Sequence, residues 1–191
     1  PTSNFQLIYF DGNHSKQATL NYFELLLPTI TNETVWIFDD IHWSKDMIHT
    51  VIVPGVGGSE YAHWQSWLQR QLMSCSRVQQ QDWNQPILQD WISEFVNTVR
   101  PIQNDIQIVA HSFGCLTTVA ALAQHPELNQ KIKNLILVAP ANPARFGEAG
   151  FSRDSQQDYQ RYFHQLKIAV PTTLLISEND PWLGYFDALQ L

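Results

Sequence analysis

The chain has few cysteines, few basic residues and no long apolar run. Its two cysteines, Cys75 and Cys115, form neither a CxxC nor a Cys/His zinc spacing, which argues against a disulfide scaffold or a structural zinc site. A formal charge of −7 argues against binding nucleic acid through its phosphates. No stretch approaches the roughly 18 apolar residues that span a bilayer, and the N-terminus lacks the pattern of a signal peptide. We expect a cytoplasmic protein that uses no cofactor and no nucleic-acid or membrane partner.

Short apolar runs rich in β-branched residues alternate with helical patterns along the 191 residues. This alternation predicts an α/β fold, a doubly wound and mostly parallel sheet of about six strands with helices on both faces. The predicted strands are 6–10, 34–38, 50–54, 106–110, 134–139 and 172–177, and the predicted helices are 17–27, 63–73, 88–98, 115–124 and 159–166. The polar stretch 142–157 is expected to form a long loop or lid.

The strongest local pattern is the strand 106–109 followed by Ala110-His111-Ser112-Phe113-Gly114 and a helix. A nucleophile elbow needs small residues two places before and two places after its serine, because the backbone bends sharply there. Ala110 and Gly114 meet that requirement, although the usual pattern has glycine at both places. We therefore predict that Ser112 is a nucleophile. The alternative is a serine that only caps a helix.

A glycine-rich turn, Gly55-Val56-Gly57-Gly58, follows the apolar strand 50–54. Hydrolases of this architecture place a second oxyanion-hole donor there, the first being the amide that follows the nucleophile. We expect those amides to belong to Val56 and Phe113. A phosphate-binding loop is the weaker interpretation, because neither GxxxxGK[ST] nor GxGxxG is present.

The late strand 172–177 leads into Glu178-Asn179-Asp180-Pro181. Because open α/β sheets hold their sites at the carboxyl ends of the strands, Asp180 is the predicted acid of a triad. It would accept the Nδ1 proton of a histidine, unless it only forms the turn before Pro181.

The histidine base is expected after Asp180 in chain order, yet all 7 histidines precede it. We therefore expect the chain to end before its base, with His63 or His164 as the alternative base. His63 begins the helix after the glycine turn, and His164 belongs to the helix after the loop. His111 is expected to point away from Ser112 in a regular elbow.

From Ile48 onward the chain resembles the small serine hydrolases related to retinoblastoma-binding protein nine. The segments that carry the resemblance are IVPGVGGS, HWQSW, QQDWNQP, VAHSFGCL, LVAPANP and SENDPW. The resemblance implies a compact α/β-hydrolase with Ser112 as nucleophile and Asp180 as acid. It implies a small ester or amide substrate, and a final Gly-His segment that this sequence does not contain.

Residues 5–46 resemble the late part of a class I S-adenosylmethionine-dependent methyltransferase, in YFDGNHSKQATLNYFELLLP and TVWIFDDIHWSKDM. The earlier strands and glycine-rich loop that grip the cofactor in such enzymes do not precede Phe5. We therefore expect residues 1–46 to be a strand-helix-strand fragment, docked on the sheet edge of a hydrolase domain at 47–191. A natural fusion, an engineered chimera and an assembly artefact all fit this junction.

Three functions follow from these patterns. The first is hydrolysis of small esters or amides through a Ser-His-Asp mechanism. The second is a catalytically inactive binding module with an aromatic surface around four tryptophans, Trp64, Trp67, Trp83 and Trp91. The third is methyl transfer by the N-terminal segment, whose acidic and histidine residues are expected to be solvated loop residues rather than metal ligands: Asp11, His14, Asp39, Asp40 and His42.

Overall fold

The computed structural model describes residues 7–10, 21, 24–25, 28, 35–38, 48–148, 151–154 and 157–189. The chain divides into two compact units, residues 1–47 and 48–191. In the first unit, strands β1 (Leu7–Phe10) and β2 (Val35–Phe38) pair in parallel in a two-stranded sheet. The predicted helix 17–27 falls mostly outside the described residues.

The second unit is built on a five-stranded parallel sheet with the order β4-β3-β5-β6-β7. Its strands are β3 (His49–Val53), β4 (Cys75–Arg77), β5 (Ile106–Ser112), β6 (Ile132–Pro140) and β7 (Thr172–Leu175). The predicted fold class is confirmed, although the sheet holds four of the six predicted strands and one that was not predicted. That strand, β4, is short and polar and has no apolar run to mark it.

The helices of this unit lie on both sides of the sheet. They are α1 (Trp64–Gln71), α2 (Leu88–Val99), α3 (Phe113–Gln124), α4 (Tyr159–Gln165) and α5 (Tyr185–Ala188). Helix α2 buries one stripe of residues spaced three and four apart, as an amphipathic helix does, and α3 is buried on nearly every side. Among the described helices, none is long and apolar enough to span a bilayer.

The strand order reverses between β3 and β5. From β3 the chain moves outward to β4, then crosses back to add β5 on the other side of β3. The two strands run in register, with Val53 opposite Ala110, so their carboxyl ends lie side by side. A reversal of this kind leaves a crevice where α/β proteins bind ligands, and both predicted turns of the site are brought to it.

Candidate active site

Ser112 lies at the junction of β5 and α3, in a backbone conformation that side chains rarely adopt. Its φ of 53° and ψ of −123° place it in the left-handed half of φ/ψ space, which costs a non-glycine residue free energy. The helix begins at Phe113, directly after it. A strained serine between a strand and a helix is the geometry of a nucleophile elbow.

The small residues around Ser112 are sterically required. A Cβ atom on Gly114 would lie 2.4 Å from the carbonyl oxygen of Pro54 and 2.5 Å from that of Val53. These are backbone atoms that cannot rotate away. Ala110 has no exposed surface and pairs with Val53 on the neighbouring strand. The elbow therefore packs against the end of β3 with no room for larger side chains.

The glycine turn after β3 touches the serine directly. A Cβ atom on Gly55 would lie 2.7 Å from the Cβ of Ser112 and 3.3 Å from its Oγ. The amides of the two glycines that follow are already used: Gly57 donates to Trp83 O and Gly58 to Gly55 O. The amide of Val56 donates to no residue in the described part of the chain.

Two residues that the sequence patterns did not single out hold this turn in place. Gln65 is completely buried, and its Nε2 donates to the carbonyl oxygens of Val53 at 3.1 Å and Val109 at 3.2 Å. Its Oε1 accepts a hydrogen bond from Ser59. From β4, Arg77 donates to the carbonyl oxygens of Gly58 and Ser59. Gln65 therefore joins the ends of β3 and β5. The feature of the sequence that could have identified it is a polar residue on the face of α1 that is buried.

Ser112 opens into a cavity of about 470 Å³. Its lining comes from the glycine turn, the elbow, the loop after β6 and the turn after β7: Val56, His111, Ser112, Ala139, Pro140, Ala141, Asn142, Arg145, Phe151, Asp180 and Trp182. Ala139 shares the rare backbone geometry of Ser112, with a φ of 43°. Positive φ at two non-glycine residues of one cavity is typical of functional sites.

Asp180, the acid predicted from the sequence, lines the same cavity as Ser112. It also forms the turn that the alternative interpretation proposed, because its Oδ1 accepts hydrogen bonds from the amides of Trp182 at 2.8 Å and Leu183 at 3.4 Å. One carboxylate oxygen thus fixes the turn.

His111, which was expected to point away from Ser112, is also among the residues that line the cavity. The pKa of its ring is lowered to about 4, mainly by burial and secondly by the charge of His63, while the carboxylate of Asp180 partly opposes both. The ring of His63 packs 5.0 Å from that of His111, centroid to centroid. Burial, followed by the charge of Arg77, also lowers the pKa of His63. Both rings are therefore neutral at pH 7.

The structure does not bring His164 to the cavity. This residue is exposed on α4 and borders a separate depression together with Gln160 and Asp187. Among the described residues, no cluster of three or more histidine, cysteine or acidic side chains could hold a metal. The acidic and histidine residues that were weighed as metal ligands in the N-terminal segment, namely Asp11, His14, Asp39, Asp40 and His42, lie outside the described residues.

The four tryptophans that a binding module would use do not form one surface. Trp91 is buried, and Trp83 packs edge-on against it at 5.6 Å. Trp91 in turn packs against Phe113 at 5.1 Å, which fixes the first residue of α3. Trp64 and Trp67 are exposed on α1, at 38% and 57%. Two of the four tryptophans, Trp83 and Trp91, therefore pack in the core behind the elbow.

Known proteins match the chain in two separate segments. A family model described as serine hydrolase matches residues 50–191, and a methyltransferase-domain model matches residues 1–41. The hydrolase YdeN of Bacillus subtilis is 29% identical over 93 residues, which cover 46% of this chain and 48% of YdeN. The chain thus matches about half the length of this curated relative.

Two solved structures have folds similar to that of this chain. A YdeN-like hydrolase from Pectobacterium atrosepticum is 27% identical, with a TM-score of 0.60 over 75% of this chain and 70% of that one. The YdeN structure from Bacillus subtilis is 18% identical, with a TM-score of 0.51 over 74% and 77%, and shows likeness of fold. Because the serine hydrolase model spans well over half of the sequence, the chain belongs to the serine hydrolase family.

Proposed function

We propose that Ser112 is the nucleophile of an acyl hydrolase for small ester or amide substrates. The observation that carries the proposal is the strained Ser112 at a strand-to-helix turn, which shares a cavity with Asp180 at the carboxyl edge of the sheet. The hydroxyl oxygen attacks the substrate carbonyl, the C–O or C–N bond breaks, and the alcohol or amine leaves with the proton that the serine gave to the base. Water then cleaves the resulting acyl-enzyme and releases the carboxylic acid. The resemblance to the hydrolases related to retinoblastoma-binding protein nine supports the same reaction and substrate class.

The oxyanion hole consists of the amides of Phe113 and Val56. Phe113 is the first residue of α3, and the first amides of a helix have no acceptor within it. The neighbouring amides of Gly57 and Gly58 are occupied by backbone carbonyls, which leaves Val56 as the donor beside the serine. Two fixed donors at the developing negative charge supply much of the rate enhancement in reactions of this class.

Asp180 is the acid that orients the histidine base and stabilises the imidazolium as the serine gives up its proton. Two of the described histidines are near this site. His111 lines the cavity, and the ring of His63 packs against the ring of His111. Burial lowers the pKa of both rings, which frees a ring nitrogen to accept a proton but also makes each ring a weaker base. His164, the other alternative named from the sequence, borders a different depression and is not proposed as the base.

The test is labelling of the purified chain with a fluorophosphonate probe at pH 7. We expect native protein to be labelled, Ser112→Ala to lose at least 99% of the label, and Asp180→Asn to be labelled at least tenfold more slowly. Ser93→Ala, a change on the exposed face of α2, is the matched control and should be labelled like native protein. Separate His63→Gln and His111→Gln variants show whether either ring acts as the base.

Equal labelling of Ser112→Ala and native protein would contradict the proposal. Absence of labelling in folded native protein would also contradict it and would favour the inactive binding module.

A further inference from the structure

The cavity around Ser112 carries one permanent positive charge in its described wall, the guanidinium of Arg145. The other basic group of that wall, His111, is neutral at pH 7 because its pKa lies at about 4. The carboxylate of Asp180 also faces the cavity, but its Oδ1 is occupied by two backbone amides. Arg145 is therefore the group in this wall that can attract a negatively charged part of a ligand.

The guanidinium of Arg145 is held in position by three neighbours. Its Nε donates to Oε2 of Glu148 at 2.8 Å, and its central carbon lies 4.5 Å from the ring centroid of Trp182 and 5.1 Å from that of Phe151. Phe151 is buried and gives this stack a rigid base. A guanidinium fixed in advance loses little conformational entropy when a ligand binds.

The outer edge of the guanidinium is left open. Neither Nη1 nor Nη2 of Arg145 donates a hydrogen bond to any residue in the described part of the chain. Glu148 is half-exposed and does not line the cavity. Its carboxylate pairs with Nε of Arg145 and so offsets part of the positive charge, but this contact leaves the Nη edge to a ligand. Two parallel N–H groups in one plane match the two oxygens of a carboxylate, and this bidentate pairing adds geometric specificity as well as energy.

We propose that Arg145 binds a carboxylate of the substrate, so that the hydrolase acts on small esters or amides whose acyl part carries a second, negatively charged carboxyl group. The turnover part of this inference rests on the proposed function, whereas the binding of a carboxylate does not. A purely structural Arg145, which only ties the loop after β6 to Trp182, would affect charged and neutral ligands equally. The difference between a charged and a neutral ligand of the same size therefore separates the two roles.

Binding is measured first, by titration calorimetry with glutarate and the neutral glutaramide. We expect glutarate to bind native protein more tightly than glutaramide, and the ratio of the two Kd values to fall at least tenfold in Arg145→Gln. Arg145→Lys keeps the charge but loses the fork, and the ratio should fall at least threefold. The matched control is Arg161→Gln, which removes an exposed arginine of α4 and should leave the ratio unchanged.

Thermal denaturation of each variant establishes that it is folded, and Arg145→Lys carries the test if Arg145→Gln is not. An equal Kd for glutarate and glutaramide in native protein would overturn the inference. So would an unchanged ratio in the folded Arg145 variants.

Turnover is measured next, with the 4-nitrophenyl ester of butyric acid and the 4-nitrophenyl half-ester of glutaric acid. The ratio of their kcat/KM values should favour the charged ester and fall at least tenfold in Arg145→Gln. If both esters are hydrolysed and the ratio is the same in native protein and Arg145→Gln, this inference is overturned while the proposed function stands. Hydrolysis of neither ester, with charge-dependent binding intact, would count against the proposed function and leave the carboxylate site standing.

Discussion

The two sides of the cavity are built by different means. The elbow wall, formed by Val56, His111 and Ser112, is fixed by backbone packing, because Gly55 and Gly114 have no space for a side chain. The loop wall, formed by Asn142, Arg145, Phe151, Asp180 and Trp182, depends on side-chain stacking and turn hydrogen bonds. The proposed nucleophile and oxyanion donor lie on the first wall, whereas the proposed acid, Asp180, and the proposed charge selectivity lie on the second. Apart from Asp180, the side chains of the loop wall can therefore change without disturbing the backbone that holds the nucleophile.

The largest effect is expected from Gly114→Ala in the elbow wall. Alanine favours helices, but its methyl group would press on the carbonyl oxygens of Pro54 and Val53. We expect the free energy of unfolding to fall by about 3 kcal/mol, measured by urea denaturation.

The matched control is Gly57→Ala, the same substitution in the neighbouring turn. Gly57 has a φ of 84° but no atom within 4 Å of an added Cβ, so only backbone strain of about 1 kcal/mol is expected. Equal losses for the two variants would show that close packing does not hold the elbow wall.

A smaller effect is expected from the ring of His111 on the pH dependence of stability. Its pKa of about 4 in the folded protein lies below the ordinary 6.5, so the unfolded chain binds more protons between these values. Stability from this residue is present above pH 6.5 and is lost as the pH falls toward 4, on the order of 2 kcal/mol after allowance for solvent screening. Urea denaturation between pH 7 and 4 should show a shallower decline for His111→Gln than for native protein. Parallel declines would contradict the burial of this ring.

The smallest effect is expected from Trp182→Ala in the loop wall. The indole is 65% exposed, and its stacking on Arg145 is a surface cation–π contact. Its removal should lower the free energy of unfolding by less than about 1 kcal/mol, again measured by urea denaturation. A loss above 2 kcal/mol would mean that the loop wall is as tightly built as the elbow wall.

The contrast between backbone packing in the elbow wall and side-chain contacts in the loop wall explains which parts of the site could be predicted from the sequence. Ser112 was predictable because a sharp turn restricts the residues around it to small ones, and Asp180 because it follows an apolar strand. Arg145 and Trp182 were not, since each reaches the cavity from an irregular loop through tertiary contacts.

The fold shows a similar limit. Apolar runs marked β3, β5, β6 and β7, which alternate with helices along the chain. They could not mark β4, whose three residues are Cys75, Ser76 and Arg77 and whose pairing depends on β3. Nor could they show that β1 and β2 pair with each other in a separate two-stranded sheet.

The most direct measurement is mass spectrometry of the folded native chain after reaction with the fluorophosphonate probe, followed by peptide mapping. The account predicts one phosphonyl group per chain, attached to Ser112, and none on a chain unfolded in urea before the probe is added. A phosphonyl group on another residue, or none on the folded chain, would contradict the assignment of Ser112 as the nucleophile.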